Sequence, residues 1–480
     1  MDQSSQVLIG WASRDITPDR PVNLRGQFHQ RISQGVLDPV TATALSVSAG
    51  EDSFVWVSCD LVGIPMDVLA LCREKLAQRL PGFPVEKLVM NATHTHTAPD
   101  ASGAWYPPVP PGVMSAEEYR EFLSDRVADA VVESWQARQP GSVSWGYGYA
   151  VVGHSRRIVY FDDLSQRPDF VELPGTKTEK FARMYGDMHD PQICGLEGYV
   201  EHGVNLLFTF NPEGRLTGAV CNLACPSQET EGMEQISADF WHDVRVELHR
   251  RHGDDLFLLP QCAPAGDLSP HVMYNKAAEE RMLQLKNRTS RQEIAVRLAT
   301  AFDETLSWAK NDRREQVELK HAVRTINLPR RFVTEEEYRA NQEGLAKLEQ
   351  LVPDGSYLEQ ESVLYSRKFR CLRILERYAE QQQHPDFPME LHVIRLGDVV
   401  FATNSFELFL DFGLRMIARS PAVQTFLVQL AAGAEPSYLA TQKAEAGESY
   451  SACIYCNEVG SAGGQQLVEE TVETMDALWA

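Results

Sequence analysis

Residues 53–92 read as strand, helix, strand, and that order constrains the fold more than any other stretch of the chain. "SFVWVSC" (Ser53–Cys59) is a short apolar run. "MDVLALCREKLAQRL" (Met66–Leu80) places Val68, Leu69, Cys72 and Leu76 on one helical face, and "KLVMNA" (Lys87–Ala92) is apolar again. Two strands joined through one helix lie parallel in the same sheet. "TALSVS" (Thr43–Ser48) adds a further strand through the turn "AGED". The expected fold class is α/β, with mixed, largely parallel sheets flanked by helices and an active site at the strand C-terminal ends.

Two capping boxes mark helix starts. Ser115 with Glu118 opens a helix reaching about Arg138, with Phe122, Leu123, Val127, Ala130, Val131 and Trp135 toward the core. Thr334 with Glu337 opens the first of two charged helices, 335–350 and 357–382, which read as an outer helical insertion near 334–385. No sequence repeat or flexible linker divides the chain, so residues 1–480 are expected to form a single catalytic domain. The Pro-rich "YPPVPPG" (Tyr106–Gly112) is a loop on the active-site side.

The unusual polar clusters each follow an apolar strand. Asp60 follows "SFVWVSC", His94 and His96 follow "KLVMNA", and Cys225 ends "GAVCNLAC". "QCAPAGDLSPH" follows "DLFLLP", Glu407 follows "DVVFATNSF", and Tyr438 lies past "VQTFLVQL". Loops at the carboxyl ends of parallel strands are where α/β sheets bind ligands. At strand spacing His94 and His96 face the same side and can reach one centre. They fit a metal ligand beside a proton-transferring imidazole, or a hydrogen-bonded pair in a polar turn. Cys225 is either a thiolate ligand or a small buried hydrophobe. Glu407, between Phe406 and Leu408, is costly to bury unless paired or coordinated, and otherwise faces solvent at a helix start. The loop "GDLSP" offers backbone N–H groups and the Ser269 hydroxyl to a reacting oxygen, but it lacks the GxSxG nucleophile elbow. Arg156 and Arg157 can clamp a polar substrate, and Trp105 and Tyr106 can wall a pocket.

These motifs resemble those of the neutral, non-lysosomal ceramidases. "NATHTHTAP" is similar to their "THTHSGP", "GDLSPH" to "GDVSPN", and "ISADFW" (Ile236–Trp241) to "ISGDF". "IGWASRDITP" resembles their opening strand and turn, and "VSCDLVG" their "VNTDLG". The order is kept from about residue 7 to 441. The resemblance implies zinc on His94, Glu407 and Tyr438, with Cys225 where the family has a histidine. It further implies His96 beside the metal, Ser269 as the essential serine, and Arg156 as the family's active-site arginine. Cysteine in place of histidine would donate more charge and weaken the metal as a Lewis acid. The family's C-terminal sandwich domain and secretion signal are not expected here.

Composition narrows the partners. Lys and Arg number 45 against 67 Asp and Glu, a net charge of −22, which disfavours nucleic acid and anionic membrane surfaces. No apolar run is long enough to span a bilayer, and the nine cysteines form no disulfide framework, so a reduced cytoplasmic protein is expected. Cys453 and Cys456 form a lone CxxC, too little for a zinc ribbon. The combined expectation is a Zn2+-dependent hydrolase cleaving a C–N amide bond of a small soluble substrate. It has His96, Ser269 and Arg156 as catalytic residues, and Arg157, Trp105 and Tyr106 at the substrate. A metal-dependent enzyme acting on a carbohydrate or cyclitol derivative, and a non-catalytic binding protein on the same scaffold, are the alternatives. A homo-oligomer is compatible with either.

Overall fold

Three mixed sheets, one of five strands and two of four, each with one helical crossover between parallel neighbours, make up the body of the protein. The structure is a computed structural model describing residues 4–171, 173–356, 360–431 and 437–480. In the first sheet β1 (Leu8–Asp15), β2 (Thr41–Ala49) and β3 (Asp52–Cys59) pair antiparallel. Helix α1 (Met66–Arg79) then carries the chain to β4 (Leu88–Ala92), which lies parallel to β3. Helix α2 (Ala116–Gln136) starts at the expected capping box, Ser115 with Glu118. The second sheet repeats the plan. Antiparallel β5 (Ser142–Tyr149), β6 (Gly203–Phe210) and β7 (Leu216–Leu223) are followed by α3 (Phe240–His252) and the parallel β8 (Phe257–Cys262). Helix α4 (Ser290–Ala309) packs on it. The third sheet has β9 (Leu319–Pro329), the helical pair α5 (Glu335–Glu349) and α6 (Glu361–Glu380), then β10 (Asp386–Leu396) and β11 (Val399–Thr403). Helix α7 (Leu410–Arg419) leads to the parallel β12 (Gln424–Val428), and α8 (Ser461–Trp479) ends the chain.

The sheets are mixed, as expected, but their parallel share is smaller than "largely parallel". Each has one parallel pair, because each has only one strand–helix–strand unit, and the other neighbours are joined antiparallel. The recurrence is one of topology; no sequence repeat announces it.

Period-two side-chain alternation explains how the sheets assemble. In β3, Phe54 and Trp56 point into an apolar cluster shared by all three sheets, while Val55 and Val57 point out to α1 and α2. The outer face of the second sheet packs on α3 and α4, and that of the third on α7 and α8. Trp56 is fully buried, and its indole N–H donates to the Asn91 side chain at 2.8 Å, so the central core carries no orphaned donor there. Among the described residues no helix is long and apolar enough to cross a membrane.

The expected helix over 357–382 begins at Glu361; residues 357–359 lie outside the described residues. The pair is not purely an outer feature. Its second helix, α6, turns Phe369, Arg370, Arg373 and Arg377 onto the wall of a cavity of about 820 Å3.

Candidate active site

The three parallel pairs aim their C-terminal ends at one place. The loop after β4 brings His94 and His96, the loop after β7 brings Cys225 to Gln228, and the loop after β8 brings Gly266 to Ser269. The segment after β11 brings Glu407, and that after β12 brings Tyr438. A cavity of about 820 Å3 opens over them, with His94, His96, Glu407 and Tyr438 in its lining.

The histidine motif works by alternation. Thr95 and Thr97 point back: Thr95 Oγ1 donates to the Ser237 carbonyl at 2.8 Å, and Thr97 Oγ1 lies 2.7 Å from Thr230 Oγ1. Thr93 donates to Asp60, whose carboxylate is fully buried and takes both arms of Arg245 at 2.9 and 3.0 Å. The histidines point forward, with ring centroids 4.9 Å apart and Nε2 atoms 3.4 Å apart. His94 has φ 65°, a left-handed conformation that a non-glycine residue adopts only when its surroundings impose it. Its N–H donates to the Leu61 carbonyl at 2.8 Å, and its Nδ1 lies 2.6 Å from the Val62 carbonyl.

That second bond fixes the tautomer. A proton on Nδ1 leaves a lone pair on Nε2, which faces Glu407 Oε2 at 3.1 Å. Two lone pairs so close repel unless a proton or a cation lies between them. Glu407 and Tyr438 are opposed in a short parallel bridge, Glu407–Leu408 with Tyr438–Leu439, so their side chains share a face and hydrogen-bond. Burial pushes the Glu407 carboxyl up, but His94, Arg156 and the Tyr438 hydroxyl together hold it below the ordinary glutamate value. Burial, with Glu407 alongside, pushes the Tyr438 phenol well up. Burial, then His94 and Arg156, push the His96 imidazole well below its ordinary value, so it is neutral at pH 7.

Arg156 sits fully buried behind this group. It donates to Tyr438 Oη at 3.3 Å, to Gln228 Oε1 at 3.2 Å and to the Gly266 carbonyl at 3.0 Å. Gln228 in turn reaches His96 Nε2 with its amide nitrogen at 3.0 Å. The arginine therefore holds the phenol and the amide in place; it does not line the cavity.

Trp105 and Tyr106 line the cavity, as anticipated, with the Tyr106 hydroxyl donating to the Gln27 carbonyl at 2.6 Å. Arg157 is a correction. It points away from Arg156, pairs with Glu197 at 2.5 Å, and donates to the carbonyls of Tyr450 and Glu448 at 2.8 Å each. Arg156 lies just before the strand Arg157–Tyr160, and the two guanidiniums take separate partners, Tyr438 and Glu197, so the double arginine does not put both into one site.

Cys225 stands apart from the other three expected ligands. Its thiol points at the Pro226 carbonyl, 3.4 Å away, within the apolar cluster under the second sheet, and burial raises it well above an ordinary thiol. Three residues on, Gln228 occupies the approach to His96 instead. Ser269 is also set back: it is fully buried, its hydroxyl accepts the His271 N–H at 3.2 Å, and it does not line the cavity. Among the described residues no three His, Cys, Asp or Glu side chains gather to hold a metal. What converges is two such residues, His94 and Glu407, with a phenol, a set of nitrogen and oxygen donors that suits a divalent cation.

Gln228, Tyr450, Phe28 and Gly26 belong to the site without having been singled out in the sequence. Gly26 has φ 118°, and a Cβ there would fall 2.5 Å from Cγ of His96 and 2.8 Å from its Cα. Gly26→Ala is expected to push the imidazole off Gln228, lowering catalytic rate by about tenfold or more and costing roughly 1–3 kcal/mol. Steady-state kinetics beside a thermal melt would check both, and unchanged kcat would show that His96 is not placed by this contact.

The fold matches solved structures. Neutral ceramidase from Pseudomonas aeruginosa superposes with a TM-score of 0.66 at 17% sequence identity, over 98% of this chain and 75% of that one. A ceramidase complexed with C2 gives 0.65 at 16% identity, over 99% and 75%. No protein-family model and no curated protein sequence matches the chain. At these identities the likeness establishes the α/β fold, which this chain has in common with the ceramidases.

Proposed function

We propose, from a fold held in common with neutral ceramidase, that the chain is a metal-dependent hydrolase cleaving the C–N bond of a small, soluble amide. The observation that carries this reading is the meeting of His94, Glu407 and Tyr438 at one end of a cavity, with the His94 lone pair 3.1 Å from a carboxylate oxygen. These three side chains would hold the cation, and zinc suits an imidazole, a carboxylate and a phenol. A divalent cation in such a setting polarises a carbonyl and makes water nucleophilic at neutral pH.

The remaining work falls to the chain. His96, neutral and facing the cavity, would relay the proton from the attacking water to the departing nitrogen once the Gln228 amide, which donates to its Nε2 at 3.0 Å, gives way. Arg156 positions Gln228 and Tyr438 together. Trp105 and Tyr106 exclude water from one side.

The cavity wall sets apolar Trp105, Phe369, Phe387 and Met389 beside the charged Arg330, Arg373, Glu376 and Glu458, which suits a substrate with both an apolar and a polar portion. The net charge of −22 opposes docking on an anionic membrane.

Incubating zinc-supplemented protein with short-chain N-acyl amides, glycosides and cyclitol derivatives tests the assignment. Release of amine from an amide, abolished by chelator and restored by zinc, is expected. Turnover confined to the glycosides or cyclitols, or no turnover of any amide, would overturn it.

A further inference from the structure

Charge accounting around the cavity leaves two of its arginines, Arg370 and Arg377, without a carboxylate among the described residues. Each carboxylate of its wall is matched: Glu458 takes Arg330 at 3.0 Å and Arg373 at 3.1 Å, and Glu376 takes Arg373 at 3.1 Å. Glu390 takes Arg73 at 2.6 Å, and Glu407, facing His94 at 3.1 Å, is the carboxylate assigned above to the cation. Arg377 spends its donors on the backbone carbonyls of Ile454, Arg331 and Asn457. Arg370 differs. It lines the cavity half-buried, and its one hydrogen bond among the described residues goes to the Gly175 carbonyl at 3.2 Å. No carboxylate among those residues lies within ion-pair distance of it. Its guanidinium rests over the Phe28 ring, 4.6 Å from the centroid.

The same rings connect it to the reacting groups. Phe28 meets Tyr450 edge-on at 5.2 Å, and Tyr450 meets Tyr438 edge-on at 5.4 Å. A substrate whose reacting carbonyl sits at Glu407 and Tyr438 therefore lies along two aromatic rings and ends at an unmatched guanidinium. With a single hydrogen bond among the described residues, this half-buried guanidinium keeps donors for an anionic ligand. Guanidinium binds carboxylate, sulfate and phosphate through paired, charge-assisted hydrogen bonds, and the ring beneath it fixes its plane.

We propose that the cavity takes an amide bearing an oxyanion on its non-reacting half, and that Arg370 is the residue that selects it. The identity of the reacting bond rests on the function proposed above; the anion subsite does not. Matched substrate pairs test the selection: N-acetyl amino acids against their methyl amides, and N-succinyl against N-butyryl anilides. The wild type should favour the anionic member of at least one pair by about tenfold or more in kcat/KM. Arg370→Gln should abolish the preference while leaving the neutral substrate within about threefold, and Arg370→Lys should restore part of it. Equal rates within both pairs, or a preference that survives Arg370→Gln, would overturn the proposal.

A binding arm separates the two readings. Calorimetric titration with glutarate should give saturable binding to the wild type that is weakened about tenfold by Arg370→Gln. Glutarate binding of this kind without hydrolysis of any amide leaves the subsite standing and removes the amide assignment. Amide hydrolysis with glutarate bound equally by both proteins does the reverse.

Discussion

Glu407→Gln should lower kcat/KM for amide hydrolysis by about a thousandfold or more, equivalent to roughly 4 kcal/mol of transition-state stabilisation. The substitution preserves shape and the hydrogen bond to Tyr438 while removing the negative charge that faces His94 Nε2. With the charge gone, the imidazole lone pair has no anionic counterpart across 3.1 Å, and the reason for a cation to reside there is lost. Metal content should fall below about a tenth of an equivalent in protein that remains folded. Kinetics, elemental analysis and circular dichroism on one preparation would check the three statements together. A folded variant with wild-type rate would remove Glu407 from the chemistry.

Asp60→Ala is expected to be the most damaging substitution to the fold. Asp60 has no solvent exposure; it accepts both arms of Arg245 and takes the Thr41 N–H and hydroxyl at 2.9 Å each. Removing one partner of a buried ion pair strands the other charge and costs about 3–5 kcal/mol. In a chain of this length that corresponds to a Tm lower by roughly 3–5 °C. Because Thr93 donates to the same carboxylate, the turn carrying His94 loosens as well, so activity should fall before the protein melts. Asp60→Asn, which keeps the shape and part of the hydrogen bonding, should cost about half as much. A Tm within about 1 °C of wild type for Asp60→Ala would show that the pair contributes nothing net.

What the sequence disclosed was local. The strand, helix and strand over 53–92 were legible because each element has its own hydrophobic period, and both capping boxes because they are four-residue motifs. The convergence of His94, Glu407 and Tyr438 was legible because each follows an apolar strand. The parallel fraction of the sheets was not, since the polar clusters mark only the strand ends inside crossovers and say nothing about the antiparallel partners behind them. Cys225 aligned with a ligand position, yet its thiol points at the Pro226 carbonyl within the apolar cluster of the second sheet, and it is the Gln228 amide that reaches His96. Arg156 and Arg157 were one motif in sequence and are two opposed side chains in the fold. The arginines of α6 read as a solvated charged stripe, because a helix's own sequence does not reveal which neighbour its polar face meets. Phe28 and Tyr450 join the site through contacts across hundreds of residues, which no local pattern encodes.

The central claim is that one cation is held by His94, Glu407 and Tyr438 and not by Cys225. Zinc titration of chelator-treated wild type, His94→Ala, Glu407→Gln and Cys225→Ala addresses it most directly. The account predicts one equivalent bound by wild type and by Cys225→Ala, with less than about a tenth bound by the other two. Full stoichiometry in His94→Ala or Glu407→Gln, or its loss in Cys225→Ala alone, would contradict it.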